Sequence, residues 1–219
     1  MGVVEIAIVE PNTLVERHRI LVELLEQMGI KSFNSEHLKR NDFGKPYLAL
    51  DEPLIGYSFS NARFAGGSFG VIALVEGAEI GVDVEFWPRR PSDKVFLETV
   101  AAPEDEAVLR ILGTQGYDAG LALWVIKEAA LKCSGDVMVD PHQLAVSHSR
   151  NNELQVGPSS AAGAPVPEFR VALFELRADK CPEHLFLCGI AVTKHFGNTL
   201  KAAKNIASHR NEWFLSRLL

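Results

Sequence analysis

Between residues 80 and 86 the chain reads Ile-Gly-Val-Asp-Val-Glu-Phe, and this alternation constrains the fold more than any other segment. Ile80, Val82, Val84 and Phe86 recur at every second position, the period of a strand with one buried face. Asp83 and Glu85 therefore share the other face. Carboxylates at i and i+2 repel each other and favour solvent or a divalent cation between them, and oxygen ligands suit magnesium. A second segment, Trp124-Val125-Ile126-Lys127-Glu128-Ala129-Ala130-Leu131-Lys132, has the other periodicity. Trp124, Glu128 and Lys132 recur every four residues and stack along one side of a helix, with Glu128 ahead of Lys132 in the favoured order for a helical ion pair.

Composition bounds the class of molecule. A chain of 219 residues with 47% apolar side chains and a mean hydropathy of +0.06 can bury a sizeable core and reads as a soluble globular protein. A formal charge of −6 argues against general nucleic-acid binding, so an anionic ligand must be held by a local group of lysines and arginines. Cys133, Cys181 and Cys188 are odd in number and lack metal-binding spacing, which points to a reducing cytoplasm. Neither a signal-like N-terminus nor a long apolar run is evident, and membrane and secretion readings are disfavoured.

Along the chain, Val3–Val9 reads as a buried strand, and Thr13 caps a helix over Leu14–Met28 that Gly29 ends. Lys31–Asp51 is polar, and Asp42-Phe43-Gly44-Lys45-Pro46 is punctuated as loop. Gly56–Ser60 and Ser68–Val75 read as two strands joined by a Gly-rich bend. After Pro88–Pro91 come helices over about Ser92–Leu112, divided at Pro103, and about Asp118–Cys133, capped by Asp118 and ended at Gly135. Short strands follow at Gln143–His148, Glu153–Val156, Phe169–Arg177 and His184–Val192, with a hairpin turn at Ser149–Asn152 and a mobile Pro/Gly-rich loop at Gly157–Pro165. Thr199–Leu219 is expected to be a helix packed on the body. The chain is α+β, in two halves.

Gly81-Val82-Asp83-Val84-Glu85 and the run from Trp124 to Lys132, in this order, resemble the G-[VI]-D-[VIL]-E and W-x-x-K-E-x-x-x-K signature of the 4'-phosphopantetheinyl transferase superfamily. Phe43-Gly44-Lys45-Pro46 is similar to the family's G-K-P element, and Tyr57-Ser58-Phe59-Ser60 to its N-x-S-H-S element. Gly56 and Phe59 stand where that element has asparagine and histidine, and the segment before Gly44 is shorter than in the larger members. The resemblance implies two related α+β halves around a pseudo-twofold axis, as in the larger, surfactin-synthetase-activating type. It divides the chain into 1–78 and a metal-carrying 79–219.

The implied activity is transfer of the 4'-phosphopantetheine arm of coenzyme A to a serine of an acyl, peptidyl or aryl carrier protein. Adenosine 3',5'-bisphosphate is released, as in holo-[acyl-carrier-protein] synthases serving fatty acid or polyketide biosynthesis. Asp83, Glu85 and Glu128 are the implied ligands of magnesium or manganese, and Glu128 is also the base. Lys132 is the cation facing the developing charge, and Lys45, Ser58, Arg19 and Lys127 are the groups that hold coenzyme A. The expected partners are coenzyme A and an apo carrier protein, with no nucleic acid or membrane, and the protein is expected to be a cytoplasmic monomer. Phe59 and the short N-terminal segment motivate an alternative, a diverged non-catalytic module that binds a carrier protein or its pantetheine arm. A metal-dependent nucleotide hydrolase is a third reading.

Overall fold

The structure is a computed structural model that describes residues 4–10, 12–64, 67–87, 94–135, 139–148, 153–163, 166–178, 181–193, 202–206 and 213–217. Strand β1 (Val4–Val9) leads into helix α1 (Leu14–Gln27), whose start is capped by Thr13 Oγ1 accepting from the Glu16 amide. A short hairpin, β2 (Leu38–Arg40) and β3 (Pro46–Leu48), carries the expected Gly-Lys-Pro loop between its strands. The long strands β4 (Ile55–Phe64) and β5 (Gly67–Glu76) follow, then β6 (Ile80–Phe86). Helices α2 (Lys94–Val100), α3 (Glu106–Thr114) and α4 (Ala119–Ser134) come next, and a 3-10 turn at Pro103–Asp105 divides the first two as Pro103 predicts. The chain then runs through β7 (Leu144–His148), β8 (Leu154–Pro158), β9 (Phe169–Ala178) and β10 (Cys181–Thr193), and ends in β11 (Ala202–Ile206) and β12 (Trp213–Arg217).

These elements stack in layers. One sheet has the order β11-β1-β5-β4; the other has the order β6-β10-β9-β8-β7, with β12 also paired to β9. The sheets face each other across a core in which Ile80, Val82 and Val84 of β6 meet Val71, Ala73 and Val75 of β5. The apolar half of the β6 alternation is thus buried between sheets, as its period requires. Helix α1 covers the outer face of the first sheet through Ile20, Leu21, Leu24 and Leu25, and α2, α3 and α4 cover the outer face of the second. Among the described residues no helix is long and apolar enough to cross a membrane.

Two expectations need correction. The tail is not helical where it is described: Ala202–Ile206 adds to β1 as a parallel neighbour, and Trp213–Arg217 pairs antiparallel with β9. Both pairings fill strand edges that would otherwise leave backbone donors and acceptors unpaired, a non-local gain that outweighs helical periodicity. The Pro/Gly-rich loop also begins later than expected, because Gly157 and Pro158 still pair with Ala145 and Leu144. The turn expected at 149–152 lies outside the described residues, while the strands on either side pair as a hairpin.

Candidate active site

The site is built where α4 lies across β6. Gly81 is on the same strand face as Asp83 and Glu85, and a Cβ there would sit 2.0 Å from the Ala129 carbonyl oxygen and 2.3 Å from the Cys133 amide nitrogen. A Cβ on Gly189, in the neighbouring strand β10, would lie 2.7 Å from the Val125 carbonyl oxygen. Only hydrogen fits at either position, so these glycines let the helix backbone settle onto the sheet. Its ends are fixed locally. Asp118 Oδ1 accepts from the Gly120 and Leu121 amides, and Gly135 adopts a left-handed φ of 74° as the C-cap.

That approach brings the polar face of β6 under the polar side of α4. Lys132 Nζ donates to Asp83 Oδ1 at 2.6 Å and to Ser60 Oγ at 3.0 Å, and Ser60 Oγ itself donates to Asp83 Oδ1 at 3.0 Å. The serines of β4 also fasten the open edge of β6. Val82 N donates to Ser58 Oγ at 3.0 Å and Val84 N to Ser60 Oγ at 3.3 Å. Two amides that a sheet edge would otherwise leave unpaired are satisfied in this way.

Glu85 and Glu128 complete the cluster. Burial pushes the Glu85 carboxyl above the usual carboxylate range, and the neighbouring Asp83 and Glu128 push it the same way, while Lys132 and a hydrogen bond from Trp124 oppose them. Glu128 is raised by burial and then by Asp83, again opposed by Lys132. The acids therefore lie within one another's fields, with Lys132 as their shared counter-charge. Trp124 has a part beyond core packing, which its position one turn before Glu128 signals.

Beside this cluster a cavity of about 190 Å³ is lined by Lys45, Ser58, Phe59, Leu131, Lys132 and the Phe43–Pro46 loop. Lys45, Ser58 and Lys132, all expected at the site, thus meet on its walls. Lys45 Nζ donates to the Cys133 carbonyl at 2.7 Å and is ion-paired with Glu79, which fastens the loop to the C-terminal end of α4, where a cation suits the helix dipole. Phe59 lies under Arg17, whose guanidinium carbon is 4.7 Å from the ring centroid.

Two expected residues are elsewhere. Lys127 is fully buried; its Nζ donates to Asp105 Oδ2 at 2.6 Å and to the Val100 carbonyl at 2.8 Å. It has no open side toward a ligand, because one helical step turns it about 100° from Glu128. Arg19 is drawn back along α1 by Glu16 and Glu23, residues three and four away on the same face, and does not line the cavity. The arginine of α1 that reaches toward Phe59 is Arg17. Ser60, Arg17 and Glu79 are participants to which the sequence reading gave no role. For Ser60 the signal was available, since it shares the strand face of Ser58.

The donor chemistry fits a hard divalent cation. Asp83 Oδ2 is buried and makes no hydrogen bond, and Glu85 and Glu128 add carboxylate oxygens in the same field. As the side chains stand, no group of three or more His, Cys, Asp or Glu among the described residues is gathered closely enough to hold a metal ion, and Asp83 Oδ1 is taken by Lys132.

Residues 79–173, from β6 through α2, α3, α4, β7 and β8 into β9, match the model of the 4'-phosphopantetheinyl transferase superfamily. No curated protein matches the chain.

Proposed function

From the premise that this chain belongs to the 4'-phosphopantetheinyl transferase superfamily, we propose that it transfers 4'-phosphopantetheine from coenzyme A to a serine of an apo carrier protein. The observation that carries this reading is the contact of Lys132 with Asp83, in the field of Glu85 and Glu128, beside a cavity that Lys132 lines together with Lys45 and Ser58.

In the proposed reaction the carrier serine oxygen bonds to the pantetheine-side phosphorus of the pyrophosphate. The bond from that phosphorus to the bridging oxygen breaks, and adenosine 3',5'-bisphosphate leaves with the electron pair. Glu128 takes the serine proton, directly or through one water, and its burial suits it to the task by raising its proton affinity. Lys132 lines the cavity and presents a point charge to the phosphates as negative charge moves onto the leaving oxygen. Lys45 and Ser58 supply further polar wall. Asp83, Glu85 and Glu128 would hold a magnesium or manganese ion, which when bound neutralises the pyrophosphate oxygens.

The test is direct. Incubation with coenzyme A, magnesium and an apo carrier protein should increase the carrier's mass by one phosphopantetheine, and Glu128→Gln should slow the increase by about 10²–10⁴. A chain that modifies none of the carrier proteins of its own organism, yet binds them with the same affinity with and without magnesium, is a binding module and not a transferase.

A further inference from the structure

Lys132 is a cation held inside a cluster of acids. Its ammonium takes Asp83 Oδ1 at 2.6 Å and Ser60 Oγ at 3.0 Å, so one oxygen of the carboxylate is committed to the lysine while the other, Oδ2, is buried and unpaired. The grip is incomplete at the lysine end. A third of the Lys132 side chain is exposed, against 5% of Asp83, and the exposed part lines the cavity together with Lys45 and Ser58. An ammonium and a metal dication brought to one buried carboxylate repel each other, and the lysine already borders the cavity.

We propose that Lys132 is the resident counter-ion of Asp83, and that a divalent cation enters by displacing its ammonium from Oδ1 and sending it into the cavity. Cation binding and presentation of a positive charge to an anionic ligand are then a single exchange. The inference rests on the reading that Asp83, Glu85 and Glu128 hold a cation, and adds to it that Asp83 already carries a counter-charge before the cation arrives. Lys45, the other lysine of the cavity, is engaged with Glu79 and the Cys133 carbonyl. It serves as the internal control for a nearby positive charge that does not touch Asp83.

The experiment uses magnesium chloride alone, without coenzyme A or carrier. Calorimetry should find magnesium bound roughly fivefold more tightly by Lys132→Met than by the native protein, as expected for removal of a partly exposed ion pair, and less than about twofold more tightly by Lys45→Met. Heteronuclear NMR of the lysine ammonium groups should show a slowly exchanging Lys132 signal, absent from Lys132→Met, that is lost from the native protein as magnesium saturates it. This second readout needs only the native fold. Magnesium binding that leaves the Lys132 signal unchanged, or that is no tighter in Lys132→Met, overturns the exchange while leaving the metal reading intact. If neither protein binds magnesium or manganese, the metal reading and the exchange fall together.

Discussion

Helix α4 carries two lysine–aspartate pairs of the same length, and they are different kinds of object. Lys127 and Asp105 are both wholly buried, 2.6 Å apart. Asp105 is saturated, with Oδ1 accepting from Val146 N at 2.6 Å and Oδ2 from Ala102 N at 2.7 Å as well as from the lysine. Lys132 and Asp83 are also 2.6 Å apart, but this carboxylate keeps a buried oxygen without a partner and this lysine opens onto a cavity. A saturated buried pair ties segments together: here α4, the turn before α3, and β7. An unsatisfied buried oxygen is costly to maintain, and a ligand that paired with it would remove that cost. What separates the structural pair from the functional one is the hydrogen-bonding capacity left over after the ion pair forms.

The sharpest way to break this contrast is to delete each lysine. Lys127→Met should cost about 3–5 kcal/mol of folding stability, because Asp105 would remain buried with its counter-charge gone. Lys132→Met should cost about 1 kcal/mol or less, since its pair is partly solvated, yet slow transfer by roughly a hundredfold or more. Urea unfolding and single-turnover transfer measure the two sides, and equal stability losses would erase the distinction.

Glu128→Gln sharpens the same contrast through pH. Transfer should fall by about 10²–10⁴ with loss of the base, whereas the metal-free fold should gain stability near neutrality. The native Glu128 carboxyl is raised above its ordinary 4.5, first by burial and then by Asp83. The folded state therefore holds this proton more tightly than the unfolded state, and stability falls as pH rises from the unfolded-state value through the higher folded-state value. Glutamine cannot ionise and escapes that loss. Melting temperatures should favour the variant at pH 7 and converge with the native protein as pH drops below the ordinary carboxylate value; a variant equally or less stable at pH 7 contradicts the sign.

How much of this was legible in the sequence divides along the line between local and non-local causes. The alternation of Ile80–Phe86, the caps at Thr13 and Asp118 and the stop at Gly135 all stand in the structure, because each is set by residues adjacent in the chain. The faces they define set Lys132 on Asp83 and put Glu85 and Glu128 within the field of both. Motif position alone does not carry helical angle, and Lys127, a step round the helix from Glu128, and Arg19, two residues from Arg17, point away from the cavity. The terminal strands had no local signal, since their partners are the edges of β1 and β9. The role of Gly81 also depends on another element, as nothing near it in the chain reveals that a helix carbonyl will lie against its Cα. Gly81→Ala tests that role and should cost about 1–3 kcal/mol through overpacking, with transfer falling further than Lys127→Met would cause per folded molecule, because Glu128 and Lys132 would be lifted away from Asp83.

The smallest expected effect isolates the open pair alone. Ser60→Ala removes the second acceptor of Lys132, one donor to Asp83 Oδ1 and the acceptor of Val84 N, and touches nothing around Asp105. The loss should be about 1–2 kcal/mol, the cost of leaving a buried amide unpaired together with a weakened charge-assisted bond. Because Ser60 and Lys132 act on the same oxygen, their effects should not add: a cycle with Lys132→Met should show a coupling of roughly 0.5–1 kcal/mol. Strict additivity would mean that Ser60 only fastens the edge of β6, and that Asp83 is oriented by the lysine without help from the neighbouring sheet.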